Sequence, residues 1–292
     1  MTRKRKKVSP FTVLNYLLFI VIGIIMVYPF WYVVMYSFSD PTQSSLSSLY
    51  LLPQGFTLES YKYAFSKKIL FTGFFNSVFL TVVGTCVNML LTICLAYPLS
   101  RDKLPGKKYF SAFVVFPMLF NGGMIPTYLV IKQFGLMDSL WSLIASLAIN
   151  VYNLLILSKF FKSIPESLIE AAKIDGCDEF QTFCKVVLPI STTIVAVMIL
   201  FYATAQWNSF MNPLMFLRSA DKMPLQVVLR NLVLSNQAAA MSADALDAAM
   251  RQKMADQMKY GIIVVSAVPL LCVYPFLQKY FVKGITMGAV KG

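Results

Sequence analysis

The chain has 292 residues, of which 58% are hydrophobic and only 13% are charged, with a formal net charge of +13. A soluble domain of this length needs far more surface charge, so the composition excludes an ordinary soluble protein and indicates an integral membrane protein. Histidine is absent, which excludes imidazole metal sites, Ser-His nucleophile pairs and histidine proton relays. The five cysteines match no zinc spacing. We therefore expect no metal site and no catalytic residue.

Six apolar runs follow one another along the chain, each close to the roughly 20 residues that a membrane helix needs. Their interiors contain no Asp, Glu, Lys or Arg. The pattern predicts an all-α integral membrane protein with six transmembrane helices. The runs cover about Phe11–Tyr36, Phe71–Leu99, Tyr109–Ile131, Leu140–Leu157, Ile190–Leu217 and Tyr260–Tyr280.

The distribution of basic residues predicts the orientation of these helices. Of the 26 Lys and Arg residues, 16 fall in the segments on the side of the N-terminus, and short basic loops remain in the cytoplasm. Both termini are therefore predicted to be cytoplasmic. The predicted organisation is an N-terminal segment, first helix and outer loop over residues 1–70, a membrane domain with the other five predicted helices over 71–282 and a cytoplasmic tail over 283–292.

The cytoplasmic loop over residues 163–189 is predicted to hold two short helices. Ser163 and Glu166 have the spacing of a capping box at the start of the first helix. Gly176 stands where that helix is expected to end, since glycine takes the left-handed conformation freely.

The second helix of this loop is predicted to begin at Asp178 and Glu179, which favour a helix N-terminus. Apolar residues at helical spacing then predict an apolar face. That face consists of Phe180, Phe183, Cys184 and Val187.

The loop contains Glu-Ala-Ala, three residues, Gly, nine residues, then Val-x-Leu-Pro. This pattern resembles the EAA loop of ABC importer permeases, with Val186 where the family pattern has Ile. The resemblance implies a type I importer permease whose loop forms a coupling helix, seated in a cleft of a separate ATPase subunit. The residues that carry the match, and the predicted coupling residues, are Glu170, Ala171, Ala172, Gly176, Leu188 and Pro189.

Further segments resemble the carbohydrate-uptake permeases related to the smaller maltose permease subunit. They are the tail Gln278–Gly292, Asn76-Ser77 and Gly123–Tyr128, and the resemblance as a whole covers about Phe71–Gly292. It implies a second permease subunit, two ATP-binding subunits and an extracytoplasmic solute-binding protein in a bacterial cytoplasmic membrane. ATP with Mg²⁺ is then used by the partner ATPases, since this chain has no P-loop and is expected to bind no cofactor itself.

Polar residues in the fifth apolar run are candidates for a solute path. Hydrogen bonding between helices explains such residues as well as a path for an uncharged sugar does. Tyr202 and Gln206 share a helix face, so they are the favoured pair; for Asn150 and Asn153 in the fourth run, interhelical hydrogen bonding is favoured. The candidate path residues are Tyr202, Gln206, Trp207, Asn208 and Asn212.

Several functions remain open at this point. An oligosaccharide importer, including one for acidic, uronate-containing glycans, follows from the resemblance, and a permease for a non-sugar solute is the nearest alternative. An ion-coupled secondary transporter is disfavoured because the apolar runs lack ionisable groups. A membrane enzyme is disfavoured because no nucleophile, base or metal constellation is present.

Overall fold

The computed structural model describes residues 10–40, 42–43, 49–241, 253–268 and 271–272, with only the backbone for 236–241. Within these ranges regular structure is helical, and the sole β pairing is a bridge between Ser39 and Phe56. The prediction of an all-α chain is confirmed for this part of the sequence. The chain divides into two compact units, residues 1–67 with 229–268 and residues 68–228 with 269–292. The predicted boundaries at residues 70 and 282 stay a prediction.

The first unit contains helices α1, α2 and α13 and the C-terminal part of α12. The second unit contains the longest helix, α3, and the helices that follow it as far as α11, while α12 begins in the second unit and ends in the first. The bounds are α1 Pro10–Ser37, α2 Glu59–Ser66, α3 Lys68–Ser100, α4 Lys107–Leu119, α5 Met124–Gln133, α6 Leu140–Ser146, α7 Val151–Lys162, α8 Glu166–Ile174, α9 Glu179–Ile190, α10 Thr192–Trp207, α11 Met211–Phe216, α12 Leu225–Met241 and α13, residues 253–268.

Two helices in the described ranges, α1 and α3, are long and apolar enough to cross a membrane alone. Three further pairs reach that length only when joined across a bend: α4 with α5 at 117°, α6 with α7 at 54°, and α9 with α10 at 82°. The described residues thus hold two spans, or up to five if each bent pair is one span. Membrane helices are present, but the predicted number of six is not confirmed, and much of the run Tyr260–Tyr280 lies outside the described residues.

Three predicted spans are interrupted. In the run Leu140–Leu157, α6 ends at Ser146 and α7 begins at Val151, with the Asn150 side chain as its cap. The run Tyr109–Ile131 is not one helix, because the chain leaves the helical conformation after Leu119 and Gly123 takes a φ of 83°. The run Ile190–Leu217 breaks after Trp207, where Asn208 ends α10.

The core of the second unit lies where α3, α7 and α10 meet. Ala96 of α3 packs with Leu154 and Phe161 of α7, and all three are fully buried. Met198 and Tyr202 of α10 pack against Met89 of α3. The α3 helix therefore forms the centre of this unit, and every candidate site described below contacts it or lies beside it.

The first unit has an aromatic core. Tyr36 of α1 is fully buried and lies edge-on to Tyr50 and Tyr260, with ring centroids 5.2 and 4.8 Å apart. The Gln257 amide donates to the carbonyl oxygen of Ser39 at 2.6 Å. The membrane-length helix α1 is therefore anchored at its C-terminal end, while no residue of its most apolar window is buried.

Candidate functional site: the EAA loop and the helices it contacts

Helix α8 begins without the capping box that the sequence suggested. Its first residue is preceded by Pro165, and no side chain caps it. Ser163 instead ends α7, since its backbone is still right-handed helical and its hydroxyl donates to the carbonyl oxygen of Phe160 at 2.7 Å. A capping residue needs an extended backbone, so the Ser163–Glu166 prediction is wrong.

Gly176 ends α8 in the predicted manner. Its φ is 81°, and its N–H donates to the carbonyl oxygen of Lys173 at 3.1 Å, while Cys177 N–H donates to Ala172 at 3.0 Å. These two bonds define a Schellman motif, which needs a left-handed residue at this position. The turn therefore fixes the direction in which the chain leaves α8.

Helix α9 starts at the predicted place, with Asp178 as its cap. The Asp178 carboxylate accepts from the N–H of Gln181 at 2.7 Å, and the Gln181 side chain accepts from the Asp178 N–H at 3.4 Å. The prediction of its apolar face is confirmed for two of the four residues. Val187 is buried and Phe183 packs against the core, but Phe180 and Cys184 are exposed. Residues Phe183–Val187 form a π-turn, so α-helical spacing does not describe this face.

The residues that match the EAA pattern divide between the surface and the core. Glu170 and Ala171 are exposed, whereas Ala172 is buried. At the far end, Leu188 is half-buried and Pro189 is exposed at the start of a short helical turn. Each therefore lies in the loop as predicted, and the exposed members are available to a partner.

The same loop exposes large apolar side chains that the sequence reasoning missed. Leu168 is 44% exposed, Ile174 86% and Phe180 74%. Their position next to the EAA residues, in a loop otherwise rich in charge, was the signal that could have identified them. Apolar side chains clustered on a loop outside the spans form a surface suited to a protein partner.

A hydrogen bond joins this loop to α3. The hydroxyl of Tyr97 donates to Oε2 of Glu179 at 3.2 Å, and Oε1 of Glu179 accepts from the ammonium of Lys173. The bond from Lys173 lowers the pKa of Glu179 and in turn raises the pKa of Lys173. The Arg101 guanidinium lies 4.6 Å from the centre of the Tyr97 ring. One carboxylate thus links α8, α9 and the end of α3.

The structure brings Tyr202 and Gln206 together on the side of α10 that faces α3. The Tyr202 hydroxyl bonds with Thr92 Oγ1 at 2.6 Å and accepts from the N–H of Asn150 at 3.0 Å. Gln206 is 1% exposed, and neither of its amide atoms has a hydrogen-bond partner among the described residues.

The other three candidate path residues lie apart from that pair. Trp207 is buried edge-on against Phe74, with ring centroids 6.1 Å apart. Asn208 is exposed beyond the end of α10, and Asn212 donates to Ser146 Oγ at 3.0 Å. They do not share one surface with Tyr202.

Asn150 has a local structural role. Its side chain caps α7 by accepting from the N–H of Asn153 at 3.1 Å, as cap residues do. The sequence favoured hydrogen bonds between helices for Asn150 and Asn153, whereas this side-chain bond lies within α7 itself.

A second polar cluster joins Asp138, which follows α5 in the sequence, to the segment between α11 and α12. The carboxylate of Asp138 accepts from the N–H groups of Arg218 and Ser219 at 2.9 Å and from the ammonium of Lys222 at 3.0 Å. Asn76 donates to the carbonyl oxygen of Asp221 at 2.8 Å. These bonds hold the segment after α11 against the start of α3.

The comparison with known families decides what class of protein carries these features. Residues 108–287 match the model of the binding-protein-dependent transport system inner membrane components. The matched range covers more than half of the chain and includes the whole EAA loop. The chain belongs to this family.

Individual relatives of this permease agree with the family match. It is 43% identical to the polygalacturonan/rhamnogalacturonan transport system permease protein YtcP of Bacillus subtilis, over 97% of this chain and 98% of the relative. It is 41% identical to protein LplC of the same organism, over 97% of this chain and 95% of the relative. Its fold matches a chain in the crystal structure of a bacterial ABC transporter that imports the acidic polysaccharide alginate. That match has a TM-score of 0.85 and 28% identity and covers 96% of this chain and 100% of the other.

These comparisons confirm the resemblance that the EAA loop and the tail suggested. The chain is a membrane permease component of a binding-protein-dependent ABC importer of the carbohydrate-uptake type. The family is a transport component rather than a catalytic enzyme. An ion-coupled transporter and a membrane enzyme are therefore excluded as the primary function.

Proposed function

We propose that this permease is one of two membrane subunits of an importer for acidic oligosaccharides. The observation that carries the proposal is the 43% identity, over nearly the whole chain, with a permease named for polygalacturonan and rhamnogalacturonan. The fold likeness to a subunit of an alginate importer supports the same solute class. All three glycans named there, polygalacturonan, rhamnogalacturonan and alginate, contain uronate residues, so an acidic oligosaccharide fits both comparisons.

The chain is proposed to cross the cytoplasmic membrane six times, with both termini in the cytoplasm. The excess of basic residues on the N-terminal side supports this orientation. A second, similar permease chain completes the pore, and an extracytoplasmic binding protein delivers the solute. Two ATPase subunits bind ATP with Mg²⁺, and this chain binds no cofactor.

In the proposed mechanism, α8 and the turn at Gly176 sit in a cleft of one ATPase. Glu170 and Ala171 form the polar and small part of that contact, and the exposed Ile174 supplies its apolar part. When the ATPases close on ATP, the loop moves with them. The Tyr97–Glu179 hydrogen bond passes this movement to α3, and the spans then alternate between outward and inward access.

Reconstitution in liposomes tests the proposal. The permease, its partner subunits and its binding protein are assembled with ATP inside, and uptake of oligogalacturonates, alginate oligomers and neutral oligosaccharides is compared. We expect ATP-dependent uptake of the uronate oligomers. Uptake of neutral oligosaccharides alone, or uptake of a non-sugar solute in preference to all glycans, would contradict the solute class.

Two single-cysteine variants test the orientation in intact cells, in a background in which the five native cysteines are replaced. Glu59→Cys and Glu166→Cys are matched, because both residues are exposed in the first turn of a helix. Residue 59 should react with a membrane-impermeant thiol reagent from outside, and residue 166 only after permeabilisation. The reverse pattern would place the coupling loop outside and contradict the mechanism.

A further inference from the structure

Two buried amide side chains in the second unit have no hydrogen-bond partner. Asn88 of α3 is fully buried and Gln206 of α10 is 1% exposed, and both the nitrogen and the oxygen of each amide are unpaired among the described residues. The hydroxyl of Thr85, 6% exposed, is in the same condition. Buried amides without partners are costly in free energy and rare in folded proteins. Such a pair in the core of a transport protein requires an explanation.

Both amides lie at the seam between α3 and α10. A Cβ at Gly84 would lie 2.7 Å from Nε2 of Gln206, so α3 packs directly onto that amide. One end of the seam is closed by the Thr92–Tyr202 hydrogen bond. Asn88 is four residues from both Gly84 and Thr92, on the same buried helix face. It therefore lies between two points at which α3 contacts α10.

Both helices are irregular at this level. Residues Leu80–Gly84 of α3 form a π-turn, and α10 ends at Trp207, one residue after Gln206. Single π-helical turns within α-helices occur frequently at functional sites. The end of a helix can move with the loss of fewer backbone hydrogen bonds than its middle can. The seam therefore joins a π-helical turn of α3 to the C-terminal end of α10.

We propose that Asn88 and Gln206 form a hydroxyl-binding site for the transported sugar, closed in this conformation. The site opens when the π-turn of α3 separates from the end of α10. An amide both donates and accepts hydrogen bonds without fixed charge, which suits the hydroxyl groups of a glycan. Its NH₂ group also donates to a uronate carboxylate. The proposal rests on the sugar solute proposed above, and it adds Asn88, which no motif identified.

Leucine variants test the chemistry of the site. Asn88→Leu and Gln206→Leu remove the amides at similar side-chain volume, and Met198→Leu is the matched control, because Met198 is buried on the same helix and carries no amide. We expect each amide variant to raise the apparent KM for uptake about tenfold, the loss of roughly one hydrogen bond to the solute. Met198→Leu should transport like the wild type.

Thermal unfolding of the purified importer separates binding from a structural role. If the amides serve the solute, removing an unpaired buried group leaves Tm unchanged or raises it while KM rises. If they serve only to hold structural water or to pair with each other, Tm falls while the apparent affinity stays at the wild-type value, and the proposal is overturned. Wild-type uptake and affinity in both variants would also overturn it.

A disulfide tests whether the seam opens. In the cysteine-free background, Gly84→Cys with Gln206→Cys places two thiols within reach, because a Cβ at position 84 lies 3.2 Å from Cγ of Gln206. Oxidation should stop uptake at saturating solute, and reduction should restore it. Undiminished uptake by the fully cross-linked protein would show that the seam stays closed. This test uses whichever solute the wild type transports. The seam can therefore prove closed while the proposed solute class holds, and it can prove to open while the solute class is wrong.

Discussion

The hydroxyl of Tyr97 lies 3.2 Å from Oε2 of Glu179 and donates a hydrogen bond to it. Tyr97 belongs to the last turns of α3, while Glu179 opens α9 just beyond the Gly176 turn. The same carboxylate binds the ammonium of Lys173 in α8. The coupling loop is thereby joined to the central helix of its unit by side chains as well as by the backbone.

Removing this hydroxyl should weaken coupling without preventing assembly. Tyr97→Phe keeps the ring, which lies 4.7 Å from that of Phe183, but deletes the donor to Glu179. A hydrogen bond of this kind contributes about 1 kcal/mol, so we expect up to about fivefold less solute transported per ATP hydrolysed. The measurement is uptake and phosphate release in the same proteoliposomes.

The control for that experiment is Tyr109→Phe, the same chemical change at a tyrosine that is 81% exposed. It should leave the transport-to-hydrolysis ratio unaltered. An unchanged ratio in Tyr97→Phe would mean that the loop acts on the spans by another route.

The turn at Gly176 gives a second prediction. Gly176→Val places a β-branched residue at a φ of 81°, where no neighbour lies within 4 Å of a new Cβ. The effect is therefore backbone strain alone, of about 1–3 kcal/mol. We expect the protein to insert normally and to lose about tenfold or more of its binding-protein-stimulated ATPase activity, in line with that strain.

Gly176→Asn is the matched variant, because asparagine tolerates the left-handed conformation better than valine does. It should retain most of the stimulated activity. Equal activity in the valine and asparagine variants would show that the conformation of this turn does not matter for coupling.

The sequence predicted the features that depend on local rules. A helix end at Gly176 follows from its freedom at positive φ, and the start at Asp178 follows from cap chemistry. Ser163 shows the limit of such rules, because its spacing to Glu166 is correct while its backbone remains helical. Whether a residue ends one helix or begins the next depends on φ and ψ, which spacing does not determine.

The sequence did not predict the features that depend on distant residues. Tyr97 and Glu179 are 82 positions apart, and neither forms a motif with the other. The unpaired state of Asn88 depends on how α3 and α10 pack, since its own neighbours in sequence are ordinary apolar and small residues. No residue pattern in Leu80–Gly84 predicts the π-helical turn that these residues form. The EAA pattern located the loop, but only the structure showed what it contacts.

The pKa of Glu179 gives a prediction about pH. Its carboxyl pKa is lowered by the bond from Lys173, so the contact is fully formed above the ordinary carboxyl range. It is lost only as the pH falls through the lowered value. We therefore expect amide hydrogen-exchange protection in residues 176–182 to show no carboxyl titration between about pH 7 and pH 5.

Glu179→Gln should reduce this protection at every pH in that range. Lys173 and Glu179 are 44% and 63% exposed, so the pair contributes about 1 kcal/mol at most and protection should fall no more than about fivefold. Glu166→Gln, the same change in the first turn of α8, is the control. A wild-type loop that loses protection between pH 7 and pH 5 would contradict the lowered pKa.

The cluster around Asp138 should stabilise the segment that follows α11. Hydrogen bonds hold the pKa of the Asp138 carboxyl well below its usual range. The bond from the Ser219 hydroxyl has the largest effect, followed by those from the Ser219 and Arg218 N–H groups. Asp138 has a φ of 55°, which asparagine also tolerates. Asp138→Asn therefore removes the charge without straining the backbone and leaves Lys222 without its carboxylate. We expect a lower Tm and faster proteolysis at residues 217–222.

Asp221→Asn is the matched control, since only the backbone carbonyl of Asp221 has a hydrogen bond in this cluster. It should unfold at the wild-type temperature. Because the folded pKa of Asp138 is lowered, its contribution is fully present above the ordinary carboxyl range and disappears only as the pH falls through the lowered pKa. The difference in Tm between wild type and Asp138→Asn should thus stay constant from about pH 8 to pH 5. An Asp138→Asn protein that unfolds at the wild-type temperature at pH 7 would show that these hydrogen bonds do not stabilise the segment after α11.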